Sequence, residues 1–145
     1  MKSPREKSIG AQMAIALQLM KRQNHHALAE AGYKITMEQL VILEMLSFHG
    51  DMNMTQLSSK TWKQNANITR IVDKLEKQKL VVRKALEGDR RAYLLSITEK
   101  GEQLFKQVIP IIINNHKEVT SCLTKEEETI TINSMIKIIN HLSKS

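Results

Sequence analysis

The chain of 145 residues contains one cysteine, Cys122, which excludes an intramolecular disulfide and a multi-cysteine zinc module and fits a reducing compartment. Five glycines and two prolines are too few for an all-β fold of many tight turns or for a low-complexity linker. Aromatic residues make up 3% of the chain: Tyr33, Phe48, Trp62, Tyr93 and Phe105. So sparse a set argues against an aromatic platform for single-stranded nucleic acid. Long hydrophobic runs are also missing. Residues 108–113, the most apolar stretch, are far too short to span a bilayer, and Met1–Lys7 leads into no secretory apolar region. A soluble, cytoplasmic protein without a membrane partner is therefore expected. No Ser-His-Asp arrangement, glycine-rich phosphate loop or paired-carboxylate site can be placed, so neither an enzyme nor a bound cofactor is expected.

What is present is a core and an uneven charge. Hydrophobic residues form 41% of the chain, enough for one folded unit of this length and too many for disorder. The formal net charge is +7. Residues 1–59 hold 6 basic and 5 acidic side chains, residues 60–91 hold 10 and 4, and residues 92–145 hold 6 and 6. Nearly all the excess thus falls in one segment. This is the footprint of a polyanion-binding face, although a solvated lysine-rich face has the same composition.

Hydrophobic periodicity predicts a long helix over residues 9–31, ended by Gly32. Thr36-Met37-Glu38-Gln39 is a capping box opening a second helix from Met37 to about Phe48. Gly50-Asp51 breaks the chain, and Thr55 is the expected N-cap of a short third helix reaching Thr61. Lys63-Gln64-Asn65 then connects to a fourth helix, about 66–79, with an apolar stripe of Ile68, Ile71, Val72 and Leu75. Two short helices joined closely outline a helix-turn-helix, an outline shared by any αα-hairpin. Residues 81–86 and 92–97 read as strands around 87–91, with Gly88-Asp89 supplying the turn. Thr98 caps a helix to about Ser121, in which Pro110 is expected to cause a kink. Thr124-Lys125-Glu126-Glu127 is a second capping box, opening a helix to about Leu142.

Helix, turn, helix and basic-tipped hairpin make a winged helix-turn-helix. With Gly88-Asp89-Arg90-Arg91 leading into Leu94-Leu95-Ser96-Ile97-Thr98-Glu99-Lys100-Gly101, and with Ile68-Thr69-Arg70-Ile71-Val72-Asp73-Lys74-Leu75-Glu76 ahead of it, the sequence resembles the MarR family of bacterial transcription regulators. The first block is similar to the family's wing signature and the second to its recognition helix. The resemblance covers essentially the whole chain. It implies a mainly α (α+β) fold and a single domain over 1–145. Within it, residues 36–97 form the winged helix-turn-helix DNA-binding part, and 1–35 and 98–145 are dimerisation helices. It implies a sequence-specific regulator of transcription, a ligand-responsive repressor that binds a pseudo-palindromic operator as a homodimer and responds to a small aromatic effector. One departure is Lys79, where the family usually has the glycine that ends the recognition helix in a left-handed conformation.

The recognition helix can be read without the family. Opposite its apolar stripe lie Asn67, Arg70, Asp73, Lys74 and Lys77, with Thr69 on the flank. The helix N-terminus enters a major groove deepest, so Asn67, Thr69 and Arg70 are placed to meet bases or nearby phosphates. Asn suits adenine and Arg suits guanine. Asn65, as N-cap or first-turn residue, is placed to donate to phosphate, and Lys74 and Lys77 to meet backbone only. Asp73 is expected to pair along the helix with Arg70 or Lys77. In the wing, Arg90 and Arg91 supply the cationic tip, and Arg91 is long enough to enter a minor groove. Asp89 would orient it by a charge-assisted bond.

Other residues carry alternatives. His26 and Glu30 stand at i, i+4 beside His25, a possible metal spacing, and some relatives in the family are zinc sensors. A metal-responsive sensor using His25, His26 and Glu30 is one alternative function, and a helical interaction module that binds no DNA is another. Exposed, unliganded histidines are the plainer reading. Cys122 is expected to be a structural or free thiol, since the family's peroxide sensors carry theirs near the N-terminus. Trp62 is expected in the core of the short turn. Ile130, Ile132, Met135, Ile136, Ile138, Ile139 and Leu142 spread over more than one helical face, which calls for a partner.

Overall fold

The computed structural model describes residues 3–62 and 65–144, with backbone alone for residue 65 and residues 89–91. After a 3-10 turn at Arg5–Lys7, the chain forms α1 (Ile9–Glu30), α2 (Met37–His49), α3 (Met54–Thr61) and α4 (Asn65–Lys77). The strands β1 (Val81–Leu86) and β2 (Asp89–Ile97) follow, then α5 (Glu99–Val119) and α6 (Lys125–Ser143). The fold is mainly helical, with one two-stranded antiparallel sheet. Two compact units are present, Met1–Ile112 and Ile113–Ser145.

Side-chain caps set several helix starts. Both expected capping boxes form: Thr36 with Gln39 opens α2, and Thr124 with Glu127 opens α6. A third lies where Thr55 was expected to cap α3. Asn53 is the cap, its Oδ1 accepting from Gln56 N at 2.8 Å while Gln56 Oε1 accepts from Asn53 N at 2.9 Å. Asn53 wins because Gln56 stands three residues on and closes the reciprocal pair, whereas Thr55 already lies inside the helix. α5 continues through Pro110 without interruption.

The core of the first unit gathers the inward faces of its elements. It contains Leu28 from α1, Leu40, Ile42, Leu43 and Leu46 from α2, and Leu57 from α3. α4 contributes the whole expected stripe, Ile68, Ile71, Val72 and Leu75, and α5 adds Phe105, Val108 and Ile112. The hairpin is anchored at its root by buried Val81 and Leu95, while its outer part is solvated. Leu95 also bridges to Met52 on its other side, with Leu95 N donating to Met52 O at 2.7 Å. Residue 52 thereby supplies a third, single-residue strand that fixes the wing to the segment before α3.

The hairpin turn differs from expectation. Glu87-Gly88 forms it, with Gly88 at φ 85°, and Asp89 already belongs to β2 opposite Leu86. The next pair inward is Ala85 with Tyr93, so extra residues of β2 bulge at the tip. Gly88 alone meets the requirement for positive φ, which leaves Asp89 free to pair.

Trp62 corrects a second expectation. It is 71% exposed, not buried, and it ends α3 in the left-handed region at φ 59° and ψ 20°. That backbone conformation carries the side chain away from the core and costs a non-glycine residue about 1–2 kcal/mol.

In the second unit, α6 buries none of its residues. Ile113, Leu123, Ile130, Ile132, Ile136, Ile139 and Leu142 are exposed there. Ile9, Ile15, Leu17 and Leu19 are likewise exposed on the N-terminal part of α1.

Candidate nucleic-acid interface

The interface is built on α4, whose apolar stripe is sealed into the core and whose opposite side is solvated. Asn67, Thr69, Arg70, Asp73, Lys74 and Lys77 are all exposed. Asn65 is the first residue of α4, the first-turn position expected of it; its side chain lies outside the described residues. Arg70 Nη2 donates to Asn67 Oδ1 at 3.0 Å, bringing the two expected base-reading side chains together one turn apart. That bond leaves the Asn67 amide N–H groups and most of the guanidinium fork to face outward, the donors that base edges and phosphates accept from.

Asp73 does not pair along its own helix. Arg83 on β1 reaches across, its Nη2 2.6 Å from Asp73 Oδ1, and its Nε lies 3.5 Å from Glu76 Oε2, an ionic contact and not a hydrogen bond. The guanidinium also sits 5.1 Å from the centre of the Tyr93 ring on β2. Arg83 wins over Arg70 and Lys77 because two carboxylates three residues apart and an aromatic face converge on it, while each intrahelical pair offers a single contact on a solvated face. The pairing has an electrostatic consequence. A carboxylate on a DNA-facing helix would repel phosphate, and here it is turned to the wing and compensated. Arg83 was missed from the sequence, yet a signal existed: two residues after buried Val81, it falls on the strand face that turns inward, where a cation needs acids.

The end of α4 is clamped by the start of α5. Leu80 N donates to Leu75 O and Lys79 N to Glu76 O, both at 2.9 Å, a Schellman pair with Lys79 at φ 61°. The helix thus ends in the left-handed conformation that a glycine usually supplies in the family. The carbonyls left over are taken by the next helix. Thr98 Oγ1 donates to Lys79 O at 2.7 Å, Thr98 N to Leu80 O at 3.0 Å, and Lys100 Nζ to Gln78 O at 3.0 Å. The Thr98 hydroxyl also accepts from Gly101 N at 3.0 Å, capping α5. A Cβ on Gly101 would stand 2.3 Å from Leu80 O, so only glycine permits this approach. Here lies the physical content of the Thr98-x-x-Gly101 pattern.

Asp89, Arg90 and Arg91 lie on the first residues of β2, at the tip of the wing. Their side chains fall outside the described residues, as do residues 63 and 64. The histidines and the cysteine stand apart from α4 and the wing in sequence. His26 Nε2 is 3.1 Å from Glu30 Oε1 in an exposed i, i+4 contact, and His25 lines a cavity beside α1 and α2. Among the described residues no three metal-ligating side chains gather. Cys122 is free and exposed.

A solvated helix held by its buried stripe in front of a hairpin, with the two joined by Arg83 and Asp73, defines a winged helix-turn-helix. Comparison with known proteins shows what this arrangement is similar to. The MarR family model matches residues 35–93, a stretch that runs from just before α2 into β2. It is 37% identical over 89 residues to the HTH-type transcriptional regulator MhqR of Bacillus subtilis, a match covering 61% of this chain and 61% of that protein's length. Among solved structures, a mutant of Escherichia coli MarR complexed with operator DNA superposes with a TM-score of 0.79 at 22% identity. That match covers 90% of this chain and 92% of the other. Bordetella bronchiseptica BpsR, whose DNA binding is regulated by 6-hydroxynicotinic acid, gives a TM-score of 0.84 at 18% identity, covering 100% and 99%.

Proposed function

We propose that this protein is a cytoplasmic, ligand-responsive repressor that binds a pseudo-palindromic operator as a homodimer and catalyses no reaction. The observation that carries this reading is the pairing of exposed Asn67 and Arg70 on a helix whose opposite face is locked into the core. α4 enters the major groove by its N-terminal half. There Asn67 and Arg70 read base edges, Asn65 and Thr69 contact bases or phosphate, and Lys74 and Lys77 contact the backbone. Arg90 and Arg91 extend the contact into the flanking minor groove, with Asp89 orienting Arg91.

The apolar surface supports a homodimer. The exposed isoleucines and leucines of α6 and of the start of α1 exceed what a monomer leaves in water, and a second copy covers them by two-fold symmetry. Two recognition helices then meet half-sites centred about 10 bp apart. The effector reading is supported by a cavity of about 230 Å³ beside α1 and α2. Apolar Leu28, Ile35 and Met37 line it together with Lys21, His25, Thr36 and Glu38, a mixed setting that suits a small aromatic ring bearing polar groups.

One experiment tests the whole. Duplexes selected from a random pool should converge on an inverted repeat, and 6-hydroxynicotinic acid and simple phenols should be screened for release of the bound duplex. A single asymmetric half-site, or a monomeric mass by light scattering at micromolar concentration, would overturn the dimeric reading.

A further inference from the structure

Trp62 gains little from burial where it stands. It holds a left-handed backbone that glycine would adopt without strain, and 71% of its surface stays in water. Strain and exposed apolar surface both act against the folded chain, so their coincidence points to a use. Position indicates which. Trp62 ends α3 three residues before Asn65 begins α4, and exposed Asn67 and Arg70 follow one turn further on. Lys60 and Lys63 flank it within the segment that holds most of the chain's positive charge. A polyanion is the partner such a setting attracts.

We propose that Trp62 is a DNA-contact residue, whose indole packs on the sugar–phosphate backbone bordering the groove that α4 enters, with Nε1–H donating to a phosphate oxygen. The proposal rests on the DNA-binding reading above. Indole suits the task because it combines a rigid apolar body with a single donor at its edge, and phosphate oxygens accept from many side chains besides Arg and Lys. Such a contact positions α4 without reading sequence. Its loss therefore weakens cognate and unrelated duplexes alike and leaves their ratio unchanged.

Trp62 is the sole tryptophan, so the intrinsic fluorescence of the unaltered protein reports this position alone. The protein is titrated with a duplex that it selects from a random pool and with a scrambled duplex. Emission should change on saturation with either. Trp62→Gly should unfold at a higher temperature, because it relieves the backbone, yet bind both duplexes about a hundredfold more weakly, the size of one hydrogen bond to a charged acceptor lost from each of two protomers. Its slope of log affinity against log salt should match that of the unaltered protein, since indole releases no counterion. Trp62→Phe keeps a ring without the donor and should fall between the two. Unchanged emission at saturation, or a Trp62→Gly variant that binds as tightly as the original, overturns the proposal. If the unaltered protein retains no duplex at all, DNA binding fails and this role with it. Retention by the original together with an unimpaired glycine variant removes only the role of Trp62.

Discussion

Arg83 on β1 and Asp73 on α4 meet at 2.6 Å, so the wing and the recognition helix are joined by an ion pair between residues ten apart in the chain. The pair is one-third to half exposed, which places its strength near that of a surface pair and makes its orientation matter more than its energy. On the proposed function, the pair keeps one carboxylate off the DNA and holds α4 and the wing in a fixed relation.

A double-mutant cycle of Arg83→Ala and Asp73→Ala should give a coupling energy of about 0.5–1 kcal/mol in urea unfolding. Arg83→Ala alone should cost more than Asp73→Ala alone, because it also gives up Glu76 and the Tyr93 ring. Equal single costs with no coupling would show that the two groups merely lie near each other.

Gly101→Ala should destabilise the protein by about 3 kcal/mol, the upper end of the overpacking range, because the obstructing atom is a backbone carbonyl that cannot rotate away. Helix propensity by itself predicts the opposite sign, a gain of about 1 kcal/mol for alanine inside a helix. Urea unfolding therefore decides between close approach and propensity by direction alone.

Lys79→Gly should stabilise by up to about 1 kcal/mol, the left-handed penalty of a non-glycine residue less the extra chain entropy of glycine. The carbonyl bond from Thr98 involves backbone at this position and survives the change. A lower melting temperature for the variant would mean that the lysine side chain contributes more than its exposure suggests.

On a selected duplex, Asn67→Ala or Arg70→Ala should cost about 1–3 kcal/mol and relax preference at particular base pairs. Lys74→Ala or Lys77→Ala should weaken all duplexes and lower the salt slope by about 1.8 each, because a dimer loses two phosphate contacts per substitution. Arg91→Ala should act chiefly where flanking DNA is A·T-rich. Asp89→Ala should follow it in part, and tighter binding instead would show the carboxylate only repelling phosphate. Competition gel shifts across a salt series measure all of these.

Local rules were enough wherever a contact joins residues a few positions apart. The capping boxes at Thr36 and Thr124, the stripe from Ile68 to Leu75 and the concentration of charge in residues 60–91 could all be read from the chain. Helical period and reciprocal side-chain caps depend only on spacing. The outward set of Asn67, Arg70, Lys74 and Lys77 followed as the complement of the buried stripe. What the chain could not show were the relations closed across elements: Arg83 choosing Asp73 and Glu76, Met52 bridging to Leu95, and Gly101 seated on the Leu80 carbonyl. Trp62 misled for the same reason. Its size argues for burial, and only the left-handed end of α3 turns it outward. Spacing determines which face a side chain occupies on its own element, but the partner it meets depends on where the other elements pack, and that is decided by the tertiary structure alone.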